Sequence, residues 1–101
     1  MTYESVDPIF GEWAKRHGLE VFTRYHETDV RTVFMQGTNS ERGQIWIDPP
    51  ASDGAVAVHV AVYRNRGRDN QKSDLLAEHD SLDAVLDEAY ALIAGWLAIS
   101  S

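Results

Sequence analysis

The 101-residue chain contains no cysteine. Disulfide bridges, thiolate metal sites and cysteine nucleophiles are therefore excluded, and a reducing compartment such as the cytoplasm is the location we expect. No apolar run approaches the roughly 18 residues that a membrane-spanning helix needs. The first residues, MTYESVDPIF, have no basic stretch followed by an apolar one. The sequence therefore predicts neither a secretory signal nor contact with a membrane.

Basic residues are scarce. Nine Lys and Arg stand against sixteen Asp and Glu, which gives a net charge of −7. Four of the bases lie close together at Arg64, Arg66, Arg68 and Lys72, whereas six acids and no base occupy residues 73–101. Because negative charge repels a phosphate backbone, the balance argues against nucleic acid and favours a protein partner.

Recognisable catalytic and cofactor motifs are also missing. The chain has no GxSxG, no P-loop and no GxGxxG, and its four histidines form no HxH, HxxxH or HExxH pair. We therefore expect no enzyme, no cofactor and no metal site. Two residues on one strand, His59 and Tyr63, mark the place where general acid–base chemistry would be sought if the protein were an enzyme.

Two segments have the spacing of amphipathic helices. In residues 6–17, apolar and aromatic side chains recur every three or four positions, and Gly18 is a natural stop. Residues 81–99 carry a longer stripe of Leu82, Val85, Leu86, Ala89, Ile93, Trp96 and Leu97. We expect this second stripe, Trp96 included, to cover a sheet and to form much of the core.

Between the helices the period changes to two, as in strands. Strands are predicted over residues 19–26, 30–37, 44–48 and 55–63, and the last has valine at every second position from Val56 to Val62. Which side of residues 30–37 faces the core is not decided by the sequence, because apolar side chains fall on both sides of the predicted strand. Residues 64–74 contain no apolar residue and predict a loop, and residues 75–78 fit either a short fifth strand or the approach to the final helix.

The chain is long enough for one domain, residues 1–101, and 44% hydrophobic residues suit an ordinary globular core. The predicted class is α+β: a two-layer sandwich with a four-stranded antiparallel meander sheet, a short fifth strand as an option, and both terminal helices packed on one face in the order α-β-β-β-β-α.

Such a sandwich leaves one sheet face uncovered. That face should carry Phe22, Arg24, His26, Trp46, His59 and Tyr63. Aromatic residues beside arginine are typical of the centres of protein interfaces. The candidate binding surface is Phe22, Trp46, His59, Tyr63, Arg64, Arg66 and Arg68.

Two classes of function fit these residues. The first is a non-enzymatic protein-interaction module, such as an adaptor, a chaperone or an inhibitor, which binds a protein partner or a second copy of itself through the open face. The alternative is a small-ligand or single-stranded nucleic-acid binder that uses the loop from Arg64 to Arg68 and the sheet-face aromatics. Charge and size alone suggest the first class, because they resemble those of inhibitors that neutralise basic proteins.

Overall fold

A computed structural model describes residues 3–25, 28–37, 41–63 and 71–99. The elements are α1 (Asp7–Arg16), β1 (Phe22–Tyr25), β2 (Thr28–Gln36), β3 (Arg42–Ile47), β4 (Val56–Tyr63), β5 (Gln71–Ala77), a 3₁₀ turn (His79–Ser81) and α2 (Leu82–Ile99). The strands form one antiparallel sheet in chain order. The α+β prediction is confirmed, with five strands in the order α-β-β-β-β-β-α.

The core lies between the sheet and α2. The four alternating valines of β4 are all fully buried, and so are Leu82, Leu86, Ala89 and Ile93 of α2. This helix contacts β3, β4 and β5, while α1 packs beside it. Trp96, near the end of α2, packs against this core and is partly buried. The fully buried tryptophan is Trp13 of α1.

The first strand begins later than the alternation predicts. Gly18 has a φ of 67°, which favours glycine, and the Gly18 and Leu19 amides donate to the carbonyls of Lys15 and Ala14. These bonds hold Leu19 in the turn that ends α1, so the chain joins the sheet only at Phe22.

The fifth strand exists and is longer than its two leucines indicate. Residues 71–74, which the sequence predicts to be loop, belong to β5 and pair with β4. Side chains of β5 alternate between half-buried and exposed, as they do on an edge strand with one wet face. Backbone pairing with β4 therefore holds this segment in the sheet. The positions Arg64, Arg66 and Arg68 lie outside the described residues.

Strand β2 faces the core with Val33 and Met35. Arg31, on the same side, donates to both carboxylate oxygens of Asp7 at 2.6 and 3.2 Å and to Asp29 at 2.6 Å. Its guanidinium also lies 4.5 Å from the centre of the Tyr3 ring. Arg31 thus ties the start of α1 to the sheet, and this fixes the opposite facing of Thr32 and Phe34.

Candidate functional site

The face of the sheet that is turned away from the helices is called the outer face here. The register of the ladders places its side chains in rows that run across the strands. One row joins Thr32, Trp46, His59 and Asp74, and the next joins Phe34, Gln44, Ala61 and Lys72. Phe22 lies beside Thr32 on β1, and Tyr63 lies beside Arg42. Four of the predicted site residues, Phe22, Trp46, His59 and Tyr63, therefore share one face.

A concave region of about 600 Å³ occupies the part of the outer face formed by β1 to β4. We call it the outer groove. It is lined by Phe22, Arg24, Val30, Thr32, Phe34, Arg42, Gln44, Trp46 and Tyr63. Its volume lies in the range of sites that take a small molecule or a few side chains of a partner.

Aromatic rings form the walls of the outer groove. The rings of Phe22 and Phe34 meet edge to face with their centres 5.6 Å apart. Phe22 keeps 42% of its surface exposed and Tyr63 keeps 43%, values that are high for large rings on an ordered sheet. Exposed aromatic surface grouped in a concavity is typical of a binding site, because covering it releases water from a large apolar area.

The floor of the outer groove is polar but internally satisfied. The Gln44 side-chain amide donates to the Thr32 hydroxyl at 3.1 Å, and this hydroxyl donates to the Ile45 carbonyl at 3.2 Å. Thr32 is only 7% exposed. No buried side-chain polar atom lacks a hydrogen-bond partner in the part of the chain that the structure describes. The Thr32 hydroxyl in this floor therefore needs no hydrogen bond from a ligand.

His59 lies between two carboxylates at the border of the groove. Its Nδ1–H donates to Asp74 at 2.6 Å and its Nε2–H donates to Asp48 at 2.9 Å. The ring stacks on Trp46 with centres 5.1 Å apart and an angle of 24°. Burial disfavours the imidazolium form, but the hydrogen bonds to Asp48 and Asp74 outweigh it, and the pKa of His59 is raised. Through these two bonds His59 links β4 to β5 and to the end of β3, and its ring stacks on one face of Trp46.

This arrangement leaves His59 unsuited to two kinds of chemistry. Both ring nitrogens are engaged by carboxylates, so His59 does not present a lone pair to a substrate. Its partners bond to opposite nitrogens and cannot converge on a single ion. Among the described residues, no group of three or more His, Asp or Glu side chains has the arrangement of a metal site. His26, which the sequence placed on the same face, lies outside those residues.

Charge distinguishes the outer groove from the rest of the molecule. Two of its nine lining residues are arginines, Arg24 and Arg42, and none is acidic, although the whole chain carries −7. The Arg42 guanidinium lies over the Phe34 ring, 5.2 Å from its centre. Elsewhere in the described residues, Arg16 is paired with Asp83, and Arg31 with Asp7 and Asp29. The groove is therefore a cationic and aromatic concavity on an acidic protein.

The sequence analysis did not predict five of the lining residues: Val30, Thr32, Phe34, Arg42 and Gln44. These residues come from β2 and β3, and the facing of residues 30–37 could not be read from a segment that is apolar on both sides. One signal was present in the sequence. A hairpin closed between Gly37 and Gly43 pairs Gln36 with Arg42, as the structure shows, and that register brings Phe34 opposite Gln44.

Comparison with protein-family models, with curated proteins and with solved structures finds no match for this chain. In residues 3–25, 28–37, 41–63 and 71–99, no helix has both the length and the apolar character that crossing a membrane requires.

Proposed function

We propose that the protein is a non-enzymatic interaction module, of the adaptor, chaperone or inhibitor type, which binds a partner polypeptide in the outer groove. The observation that carries the proposal is the groove itself: exposed aromatic walls, a polar floor with its own hydrogen bonds, and two arginines among nine lining residues of which none is acidic. These are the residue types that dominate binding energy at protein interfaces. A cytoplasmic location, expected from the sequence, belongs to the same proposal.

Ring geometry favours amino-acid side chains over nucleobases as occupants. Binding of single strands relies on ring faces that are free to stack on bases. In this protein, the guanidinium of Arg42 covers a face of Phe34, and His59 covers a face of Trp46. The exposed surfaces of Phe22 and Tyr63 remain, and aliphatic and aromatic side chains pack well against such rings.

Selection of phage-displayed random peptides on the immobilised protein tests this proposal. Trp46→Ala is expected to weaken the selected peptides tenfold or more, about 1.4 kcal/mol, because Trp46 is a large ring at the wall of the groove. The matched control is Leu76→Ala. Leu76 lies on the outer face but outside the groove, and it is 72% exposed, so its loss should leave binding unchanged.

Three results decide between the candidate occupants. Peptides that bind the wild type and the Leu76 variant but not the Trp46 variant support the proposal. Failure to select any peptide that depends on Trp46 would refute it. The other candidate occupant is a second copy of the chain, and light scattering of the same variants tests it. A wild-type dimer that Trp46→Ala converts to a monomer would assign the groove to self-association.

A further inference from the structure

We infer that the segment bound in the outer groove is acidic, with Asp or Glu side chains that pair with Arg24 and Arg42 on either side of apolar side chains. The inference rests on the proposed function, because it names the chemistry of the partner at the same site. Its basis is the charge and the position of the two arginines.

The charge of the groove is opposite to that of the chain. Among the residues that the structure describes, no Asp or Glu lines the groove, whereas Arg24 and Arg42 do. A surface this different from its surroundings attracts ligands of negative charge and repels basic ones at the same position. An acidic partner therefore meets favourable charge in the groove, although the chain as a whole is acidic.

Arg42 is held in a geometry suited to a carboxylate. Arg42 is exposed, and its guanidinium carbon lies over the Phe34 ring in a cation–π contact, which does not require its N–H donors. The planar fork of a guanidinium can donate two parallel hydrogen bonds to a carboxylate. Arg31 shows the contrast within the same chain, since two aspartates already satisfy its guanidinium.

The two arginines lie at opposite ends of the groove. Arg42 pairs with Gln36 and Arg24 pairs with Asp29, so seven steps of β2 separate them. At the rise of a strand this is about 23 Å of backbone, from which the reach of the two long side chains is subtracted. An extended segment would therefore place its two acidic residues roughly four to seven positions apart, with apolar residues between them over the aromatic walls.

Charge-removal variants test this inference on the peptides selected above. The double variant Arg24→Gln/Arg42→Gln should weaken them by about tenfold and make the remaining binding insensitive to salt. The matched control is Lys72→Gln, which removes a positive charge from the outer face outside the groove and should change affinity less than about twofold. The sequences selected on the wild type should be enriched in Asp and Glu.

The outcomes separate the inference from the proposal beneath it. If the selected peptides depend on Trp46 but lack acidic residues, or bind the double arginine variant as well as the wild type, the inference is wrong and the proposed function stands. If no peptide depends on Trp46, both are wrong. A single-stranded DNA oligonucleotide that binds in a Trp46-dependent manner, where no peptide does, would assign the groove to nucleic acid and would also overturn both.

Discussion

Trp13 is expected to be the most costly tryptophan to remove. Its side chain is fully buried between α1 and α2, 6.0 Å from the ring of Phe10 and 6.2 Å from that of Tyr90. Its indole N–H donates to Asp87 at 2.9 Å. Trp13→Ala removes these contacts at once and leaves a cavity between the two helices.

The magnitude follows from the buried area. A tryptophan buries up to about 250 Å², and at about 25 cal/mol per Å² its transfer alone reaches roughly 6 kcal/mol as an upper bound. Asp87 is 57% exposed, so water replaces the lost indole bond at little cost. Measured Trp→Ala changes in cores support about 3–5 kcal/mol. Trp96→Ala should cost no more than about 2 kcal/mol, because Trp96 is only half-buried.

Urea denaturation followed by far-ultraviolet circular dichroism measures both losses on the same scale. Domains of this size have about 5–15 kcal/mol of stability, so Trp13→Ala could be too unstable to purify. Trp13→Phe keeps the measurement decisive, with an expected loss of about 1–2 kcal/mol. The reasoning is refuted if Trp13→Phe matches the wild type, or if Trp96→Ala is the more damaging alanine substitution.

Three further substitutions test the packing and the border of the groove. Gly43→Ala should cost about 1–3 kcal/mol, because its Cβ would overlap the Ile93 side chain, whereas Gly11→Ala meets open space in α1 and should gain about 0.5–1 kcal/mol. Thermal melts of both decide this, and equal shifts would contradict it. His59→Gln should cost about 1 kcal/mol at about pH 6 and less at about pH 9. The pKa of His59 is raised in the folded state. Its charged hydrogen bonds therefore stabilise the fold fully below the unfolded-state pKa of about 6.5, and this stabilisation is lost as the pH rises through the folded-state pKa. A pH-independent loss would contradict that assignment.

The fold was predictable where burial imposes a clean period. Strand β4 alternates strictly because one of its faces lies under α2, and its four valines occupy that buried face. Strand β5 is an edge strand, and its first four side chains are polar. They show no apolar alternation, so the sequence predicts a loop there. The partial exposure of Trp96 also has no sequence signal, because its helical spacing is the same as that of the fully buried Leu86 and Ile93.

The candidate site was predictable only in part. Alternation in β1, β3 and β4 placed Phe22, Trp46, His59 and Tyr63 on one face, because each strand has a clear inner side. Half of the groove comes from β2 and the start of β3, where register decides which residues face outward. The pairing of His59 with Asp48 and Asp74 could not be anticipated, since these carboxylates come from a strand end and from the segment predicted to be a loop.

The most direct test of the outer groove as the binding site is an amide chemical-shift map of the isotope-labelled protein, titrated with the tightest peptide from the selection. The account predicts saturable shifts in β1 to β4 around Phe22, Phe34, Trp46 and Tyr63, and little change along the exposed side of α2. Shifts confined to α2, or spread evenly over the protein, would contradict it.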